Sequence, residues 1–383
     1  MELICKITDK DLLGTDCLSN AEPRYTARAV LKNDKGQYAV IYAKKFDHYS
    51  LPGGGIEDGE DRLEALRREV MEETGCTCEK IEEIGCIYEN RAHCDYTQYS
   101  YYYFVKVGND VKAQHFTDVE IQNKTEVQWH SLEKVIGLIF NQNSRSNQQK
   151  FLQARDVAAL KKYVSKFADK AEKLALLSQI GWIFFDIGST LVDETECYKA
   201  RYTETVKDTD ISYEEFENKV IEYSKQNKKG DHKAVKYFNL TLAKWRKELE
   251  ELYPETEVVL KSLFERGYKL GIIANQSLGS EKRLEEWGIL KYFDVVIASA
   301  EEGVAKPDKE IFFRALKKAN CDPKNAVMVG DRLDNDIVPA NEIGMKTIWI
   351  KQGLGGYATP QSLLEFPDHT VNDLTELCAL FNV

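Results

Sequence analysis

The stretch Leu51-Pro-Gly-Gly-Gly-Ile-Glu-Asp-Gly-Glu60, followed after seven residues by Arg68-Glu-Val-Met-Glu-Glu-Thr-Gly-Cys76, carries the densest chemical pattern in the chain. Glu69, Glu72 and Glu73 stand at i, i+3 and i+4, which in a helix puts three carboxylates on one face. Three like charges so close repel one another, and a hard divalent cation such as Mg2+ or Mn2+ neutralises them through oxygen ligands. The glycines ahead of the helix let the backbone turn tightly and let a diphosphate approach its N–H groups. For an arbitrary helix, a solvated glutamate face is the plain alternative. Leu63, Leu66, Val70 and Met71 are spaced for one buried face, which predicts a helix over Asp61 to Thr74 lying on a core.

Working outward, Ala27 to Lys32 and Gln37 to Lys44 are short apolar runs around the turn cluster Asn33-Asp34-Lys35-Gly36, the pattern of a hairpin. Ile81 to Tyr88 and Gln98 to Val107 are further strand patterns. The run Tyr101 to Phe104 is aromatic enough to stack on a nucleobase, although aromatics in a strand ordinarily belong to the core or its cover. A polar stretch, Asn141 to Gln149, precedes a helical pattern over Phe151 to Leu177. Residues 141–179 are therefore expected to be a partly helical junction between a first domain, 1–140, and a second, 180–383. In the second, the apolar runs Trp182–Phe185, Leu270–Ala274, Val295–Ala298, Val327–Val329 and Thr347–Ile350 alternate with helix-length segments. That pattern predicts a parallel sheet covered on both faces. A polar, helix-rich insertion at about 198–252 is too long for a loop and predicts a small helical cap.

A chain of 383 residues is long enough for two domains, and 43% hydrophobic residues with 8 prolines describe a folded one. The net charge of -11 repels a phosphate backbone, so no nucleic-acid polymer is expected as a partner. It does not exclude phosphate-ester substrates, because bound Mg2+ changes the local sign. No apolar run approaches the roughly 18 residues a membrane span needs, and the start has no leader pattern, so no membrane partner is expected. Nine cysteines without a CxxC pair suggest neither a zinc site nor a dithiol, and Cys76 and Cys78 are expected to pack. Free thiols fit a reducing compartment, so the expected localisation is cytoplasmic. Oligomeric state is not readable.

Gly54, five residues, Glu60, seven residues, Arg68-Glu69, an aliphatic, one residue, Glu72-Glu73, one residue and Gly75 match the Nudix box at every fixed position. The resemblance to the Nudix family covers about Arg24 to Ile139, and Cys76 stands where the family usually has an aliphatic residue. It implies an α/β/α sandwich and Mg2+-dependent hydrolysis of a nucleoside diphosphate linked to another group. By carry-over Glu69, Glu72 and Glu73 bind metal, and Glu69 foremost, with Glu72, is a candidate for activating water. Gly54 and Glu60 support the loop-helix geometry, and Arg68 holds the carboxylates through charge-assisted hydrogen bonds. Glu120 and Glu126 are candidates for a further ligand or base from a later loop, against the simpler reading of exposed glutamates.

Ile183-Phe-Phe-Asp186-Ile-Gly188-Ser-Thr190-Leu-Val-Asp193 ends a buried strand pattern in a carboxylate, and Val327-Met-Val-Gly330-Asp331-Arg-Leu-Asp334-Asn-Asp336 ends another. Lys306 stands between them in Ala305-Lys306-Pro307-Asp308. In a parallel sheet the carboxyl ends of the strands share one edge, where ligands bind. An aspartate there can attack phosphorus while Mg2+ and a lysine hold the charge. This order resembles the haloacid dehalogenase (HAD) superfamily from Ile180 onward, a Rossmann-like parallel sheet with a cap. The resemblance implies Asp186 as nucleophile, Lys306 as its partner, Asp186, Asp331 and Asp336 as Mg2+ ligands, and Thr190 as a support of the loop. Asp193 and Asp334 are expected to be solvated or capping. Two departures matter: Gly188 stands where family phosphatases carry a general acid, and Ala274 where a Ser or Thr holds a phosphate oxygen, with Ser277 able to substitute only if its loop curls back.

The expected function is thus an Mg2+-dependent hydrolase cleaving the diphosphate of a nucleotide substrate. Its second half is phosphatase-like, of restricted activity because an acyl phosphate needs less acid help to depart. The alternative keeps the first activity and makes the second half a non-catalytic module for binding a phosphorylated ligand or for dimerisation.

Overall fold

The computed structural model describes residues 1–108 and 112–381. Its contacts divide into two units, Met1–Ala175 with Gln361–Leu363, and Leu176–Pro360 with Leu364–Val383. In the first, Asp61 starts the expected helix, Arg62–Thr74. Its side chain accepts hydrogen bonds from the Leu63 and Glu64 N–H groups, the Glu64 side chain accepts from Asp61 N–H in return, and Gly75 ends the helix in the left-handed region at φ 72°. Ala65, Leu66 and Val70 are buried, but Leu63 is 38% exposed, so the buried face is turned toward Ala65 rather than Leu63.

That helix lies on an eight-stranded mixed sheet. The strands are β1 Leu3–Thr8, β2 Pro23–Asn33, β3 Tyr38–Ala43, β4 His48–Ser50, β5 Gly53–Gly55, β6 Cys78–Arg91, β7 Tyr96–Val107 and β8 Thr125–His130. Their order is β1-β6-β7-β2-β3-β4, with β5 on β2 and β8 on β3. The expected hairpin has its turn, with Asn33 N–H donating to Gln37 O at 2.9 Å. Its ladder is short, however: β2 and β3 meet at Lys32–Tyr38, while β2 runs parallel to β7 from Pro23–Thr97 to Asn33–Val107. Core packing decides this, because Ala27, Ala29 and Leu31 of β2 share one cluster with Tyr101, Tyr103 and Val105 of β7 and with Ala65, Leu66 and Val70 of the helix. Side chains alternate across a strand, so Tyr102 faces the other way. There the helix Asn147–Phe167 packs on β1 and β6. Its buried Asp156 accepts from Tyr102 Oη and from Leu51 N–H at 2.8 Å, which ties it to the segment just before the glycine loop.

The second unit holds β9 Trp182–Phe185, β10 Val192–Asp193, β11 Glu251–Leu252, β12 Lys269–Ala274, β13 Val295–Ala298, β14 Ala326–Gly330, β15 Lys346–Ile350 and β16 His369–Val371. Six of them form a parallel sheet in the order β13-β12-β9-β14-β15-β16. Phe184 and Phe185 enter core clusters on opposite faces, as a sheet covered on both sides requires. The edge strand β16 escapes sequence reading because its three residues make no apolar run. The insertion begins slightly earlier than expected, with helices Thr195–Val206, Tyr213–Ser224 and Gly230–Phe238. These bury a core of their own, Tyr202, Val206, Phe216, Val220, Ala234 and Val235. The ribbon β10–β11 joins the two ends of the insertion. Among the described residues no helix is long and apolar enough to cross a membrane. All nine cysteines are free, and Cys76 packs in the first core.

Candidate active sites

In the first unit the glycine loop is shaped by close approach. Gly53 has φ 125°, and a Cβ there would lie 2.3 Å from Ala27 O. A Cβ on Gly54 would lie 2.3 Å from Glu69 Oε1. Glycine is what lets the helix press its first glutamate against the loop. Arg68 then ties loop and helix together: Nε donates to Glu60 Oε1 at 2.9 Å, Nη2 to Glu60 Oε2 at 3.0 Å and to Gly55 O at 2.8 Å. Its Nη1 donates to Glu69 Oε1 at 2.8 Å and to Glu72 Oε2 at 3.3 Å. The fork holds the Glu60 carboxyl below its ordinary pKa.

The three glutamates share a helical face but are not drawn to one point. Arg68 takes Glu69 and Glu72, whereas Glu73 turns inward and accepts from Gly53 N–H at 2.7 Å. Burial raises Glu69, against the pull of Arg68. Burial pushes Glu73 up to about 8, opposed by the Gly53 hydrogen bond and Arg28 and helped by Glu69 and Glu120. The raised Glu69 and Glu73 carboxyls are what a divalent cation would reverse, and with Glu72 on the same helical face the donor set is the hard-oxygen one such an ion takes, although the three do not converge in the structure.

Glu120 closes a capping box with Thr117, accepting from its N–H at 2.7 Å. Glu126 accepts from Gln128 Nε2 at 2.7 Å and lies 3.5 Å from Lys44, on the surface. Sequence reading missed Arg28 of β2, half-buried, with Nη1 donating to Leu51 O at 3.1 Å. No motif marks it; only β2's register under the loop reveals it. A cavity of about 1100 Å³ beside the loop is lined in part by Tyr25, Ile56, Arg62, Tyr101 and Tyr103. The stacking role considered for Tyr101–Phe104 meets an obstacle. All four are buried, and the Arg62 guanidinium covers the Tyr101 ring at 3.8 Å.

In the second unit, Asp186 and Asp331 follow the neighbouring central strands β9 and β14, whose carboxyl ends coincide. Carboxylate oxygens of Asp186, Asp331 and Asp336 lie within 4.8 Å of one another. Lys306 Nζ sits 2.9 Å from Asp186 Oδ1 and 2.6 Å from Asp336 Oδ1. Burial opposes the Lys306 ammonium, yet Asp186 and Asp336 outweigh it and hold its pKa above the ordinary lysine value. Burial and then the other two aspartates push Asp331 up, and burial raises Asp336 although Lys306 opposes it. One ammonium cannot neutralise three carboxylates, two of them buried, and the all-oxygen donor set fits Mg2+.

Asn275 fixes Lys306 from below: its Oδ1 accepts from Lys306 N–H at 2.8 Å and its Nδ2 donates to Lys306 O at 2.9 Å. Ser277 does not take over from Ala274 in the structure as it stands; Lys247 Nζ donates to its hydroxyl. Thr190 Oγ1 is buried without a hydrogen-bond partner. The loop is held instead by its backbone, with Leu191 N–H on Ile187 O at 2.9 Å, and by Ser189 Oγ, which donates to Glu194 Oε2 at 2.7 Å. Asp334 is forked by Arg332 at 2.9 and 2.7 Å, and Asp193 accepts from Thr195 N–H at 2.8 Å. A cavity of about 240 Å³ between cap and core is lined by Lys228, Lys229, Asp231, His232 and Arg332 among others, a charged lining in which Arg332 is already paired with Asp334.

The comparisons with known proteins follow this division. The NUDIX domain model matches residues 22–154, and the haloacid dehalogenase-like hydrolase model matches residues 183–350. A glyceraldehyde 3-phosphate phosphatase of Methanocaldococcus jannaschii is 33% identical over 217 residues, 51% of this chain and 94% of that protein. A pyrimidine 5'-nucleotidase of Escherichia coli is 40% identical over 111 residues, 28% of this chain and 48% of that one. Among solved structures, a HAD phosphatase from Thermococcus onnurineus is 27% identical and covers 52% of this chain and 96% of its own, with a TM-score of 0.37. The chain belongs to the haloacid dehalogenase-like hydrolases and carries a NUDIX domain ahead of that half. Both are hydrolase families, and both generally use divalent metal ions.

Proposed function

We propose that the first unit cleaves the diphosphate of a nucleoside diphosphate linked to another group, and that the second removes phosphate from a small phosphomonoester. The cluster of Asp186, Asp331, Asp336 and Lys306 at adjoining strand ends carries the phosphatase half of the reading. The glycine loop closed on Glu69, with Glu72 and Glu73 on the same helix, supports the other. Mg2+ held by the Glu69, Glu72 and Glu73 face would neutralise the diphosphate and lower the pKa of an attacking water, and Mg2+ held by Asp186, Asp331 and Asp336 would neutralise the phosphoryl group. Arg68 orients Glu69 and Glu72, and Glu69 takes the water proton. In the second unit Asp186 is the nucleophile and Lys306 steadies both it and the transferred phosphoryl group. Diphosphate cleavage yields phosphomonoesters, the substrate class of the second half, so the two activities are chemically consecutive. The two relatives act on different monoesters, a triose phosphate and a nucleotide, by their names. A nucleoside monophosphate fits the consecutive reading better.

Phosphorus NMR of the full chain with Mg2+ and a panel of nucleoside-diphosphate compounds tests this. The expected record is loss of a diphosphate signal, appearance of monoester, then inorganic phosphate that Asp186→Asn abolishes. Phosphate release untouched by Asp186→Asn, with a phosphorylated ligand still bound, would favour the binding-module alternative.

A further inference from the structure

A HAD-type phosphatase with glycine at position 188 lacks the acid that protonates a leaving oxygen. The space at Gly188 is nevertheless filled by a carboxyl group. A Cβ built on Gly188 would meet Glu194 Oε1 at 2.7 Å, Cδ at 3.0 Å and Oε2 at 3.1 Å, and these are its three nearest atoms. A side chain placed at 188 therefore points first at a carboxyl that arrives from position 194. Two features hold it there. Ser189, at φ 53°, donates its hydroxyl to Glu194 Oε2 at 2.7 Å. Residue 194 also begins the first cap helix, just past the β10–β11 ribbon.

The surroundings favour a protonated carboxyl near neutral pH. Burial pushes Glu194 up to about 7, against the Ser189 hydrogen bond, with Glu250 and Asp186 adding to the rise and Arg283 opposing it. Asp331 and the phenols of Tyr198 and Tyr253 also feel its charge. Arg283 is already engaged, since its Nη2 donates to Glu250 Oε2, so it leaves Glu194 without a full counter-charge.

We propose that Glu194 is the general acid and base of the phosphatase site, taking the place of the carboxyl missing at position 188. This rests on the phosphatase reading above. Asp186 Oδ attacks phosphorus as the phosphorus–oxygen bond to the alcohol breaks. The bonding pair stays on the leaving oxygen, which takes the Glu194 proton and departs as the alcohol. Water then attacks the aspartyl-phosphate, giving its proton to the Glu194 carboxylate, and the bond between phosphorus and Asp186 breaks to release phosphate and restore both groups. The substrates are thereby widened from labile acyl phosphates to ordinary alkyl phosphomonoesters.

The test compares leaving groups in the full-length protein with Mg2+: a pyrimidine 5'-nucleotide and glyceraldehyde 3-phosphate against acetyl phosphate and p-nitrophenyl phosphate. Glu194→Gln is expected to lower kcat for the alkyl esters by about 10²–10⁴ while changing the activated substrates by less than about tenfold. The wild-type fall in kcat above neutral pH should disappear in that variant. Removing the glutamate opens the space for its counterpart, so the double variant Glu194→Ala with Gly188→Asp should regain alkyl-ester activity over Glu194→Ala alone. An equal loss on all four substrates without that regain, no loss on any, or a wild type limited to activated phosphates would overturn the assignment. Phosphate release that Asp186→Asn leaves intact would instead break the phosphatase reading, and the assignment with it.

Discussion

The two units collect their carboxylates in opposite ways. In the first, Glu69, Glu72 and Glu73 come from one turn of one helix, and local geometry alone makes them neighbours. Yet they separate onto Arg68 and the Gly53 N–H. In the second, Asp186 and Asp331 belong to strands distant in sequence, and they meet because β9 and β14 lie side by side and end together. There the three carboxylates converge on one another, with the buried Lys306 ammonium on two of them, Asp186 and Asp336. Nearness in sequence ensures a shared face, whereas convergence needs partners that pull in the same direction. The same contrast holds for the glycines. Gly54 is vacant for a glutamate of its own motif, Glu69, and Gly188 for Glu194, a residue outside any recognised position.

The contrast can be broken most sharply at the nucleophile. Asp186→Asn should reduce phosphate release from monoesters at least ~10³-fold while diphosphate cleavage by the first unit stays within twofold or so; coupled losses in a phosphorus NMR time course would mean the sites are not independent. Glu69→Gln should cut diphosphate cleavage by about 10²–10⁴ and spare monoester hydrolysis, measured on the same samples. Mg2+ at about a hundred times its Kd should stabilise the first unit by about 2.7 kcal/mol, a rise of several degrees in its calorimetric transition. Glu73→Gln should shrink that rise, and an undiminished response would place the ion elsewhere. Arg68→Lys keeps the charge but loses the fork, so a loss of roughly 1–3 kcal/mol is expected in denaturant titration. Leu63→Ser, at the exposed position on the same helix, should lie within about 0.5 kcal/mol of wild type. A larger loss would show that the sequence-based face, not the observed one, is buried.

Much was legible from pattern. The helix over residues 62–74 was readable from its apolar spacing, and five parallel strands from unbroken apolar runs. Asp186, Lys306, Asp331 and Asp336 were readable from their motif order. The illegible parts have specific causes. β16 is too short to form a run. The β2–β7 pairing joins residues that no local rule connects. Arg28 and Asn275 act through backbone groups of other segments, Leu51 and Lys306, and Glu194 through a vacancy at a residue six positions earlier in the chain.

By itself, then, the amino-acid order determined which elements form and which chemical groups are present, because helix capping, strand runs and motif spacing act over a few neighbouring residues. Tertiary structure alone decided where those groups point. Whether three carboxylates converge or part, and which carboxyl fills the place left by Gly188, depends on burial and on partners supplied by distant strands. Those forces exist only once the sheets have assembled.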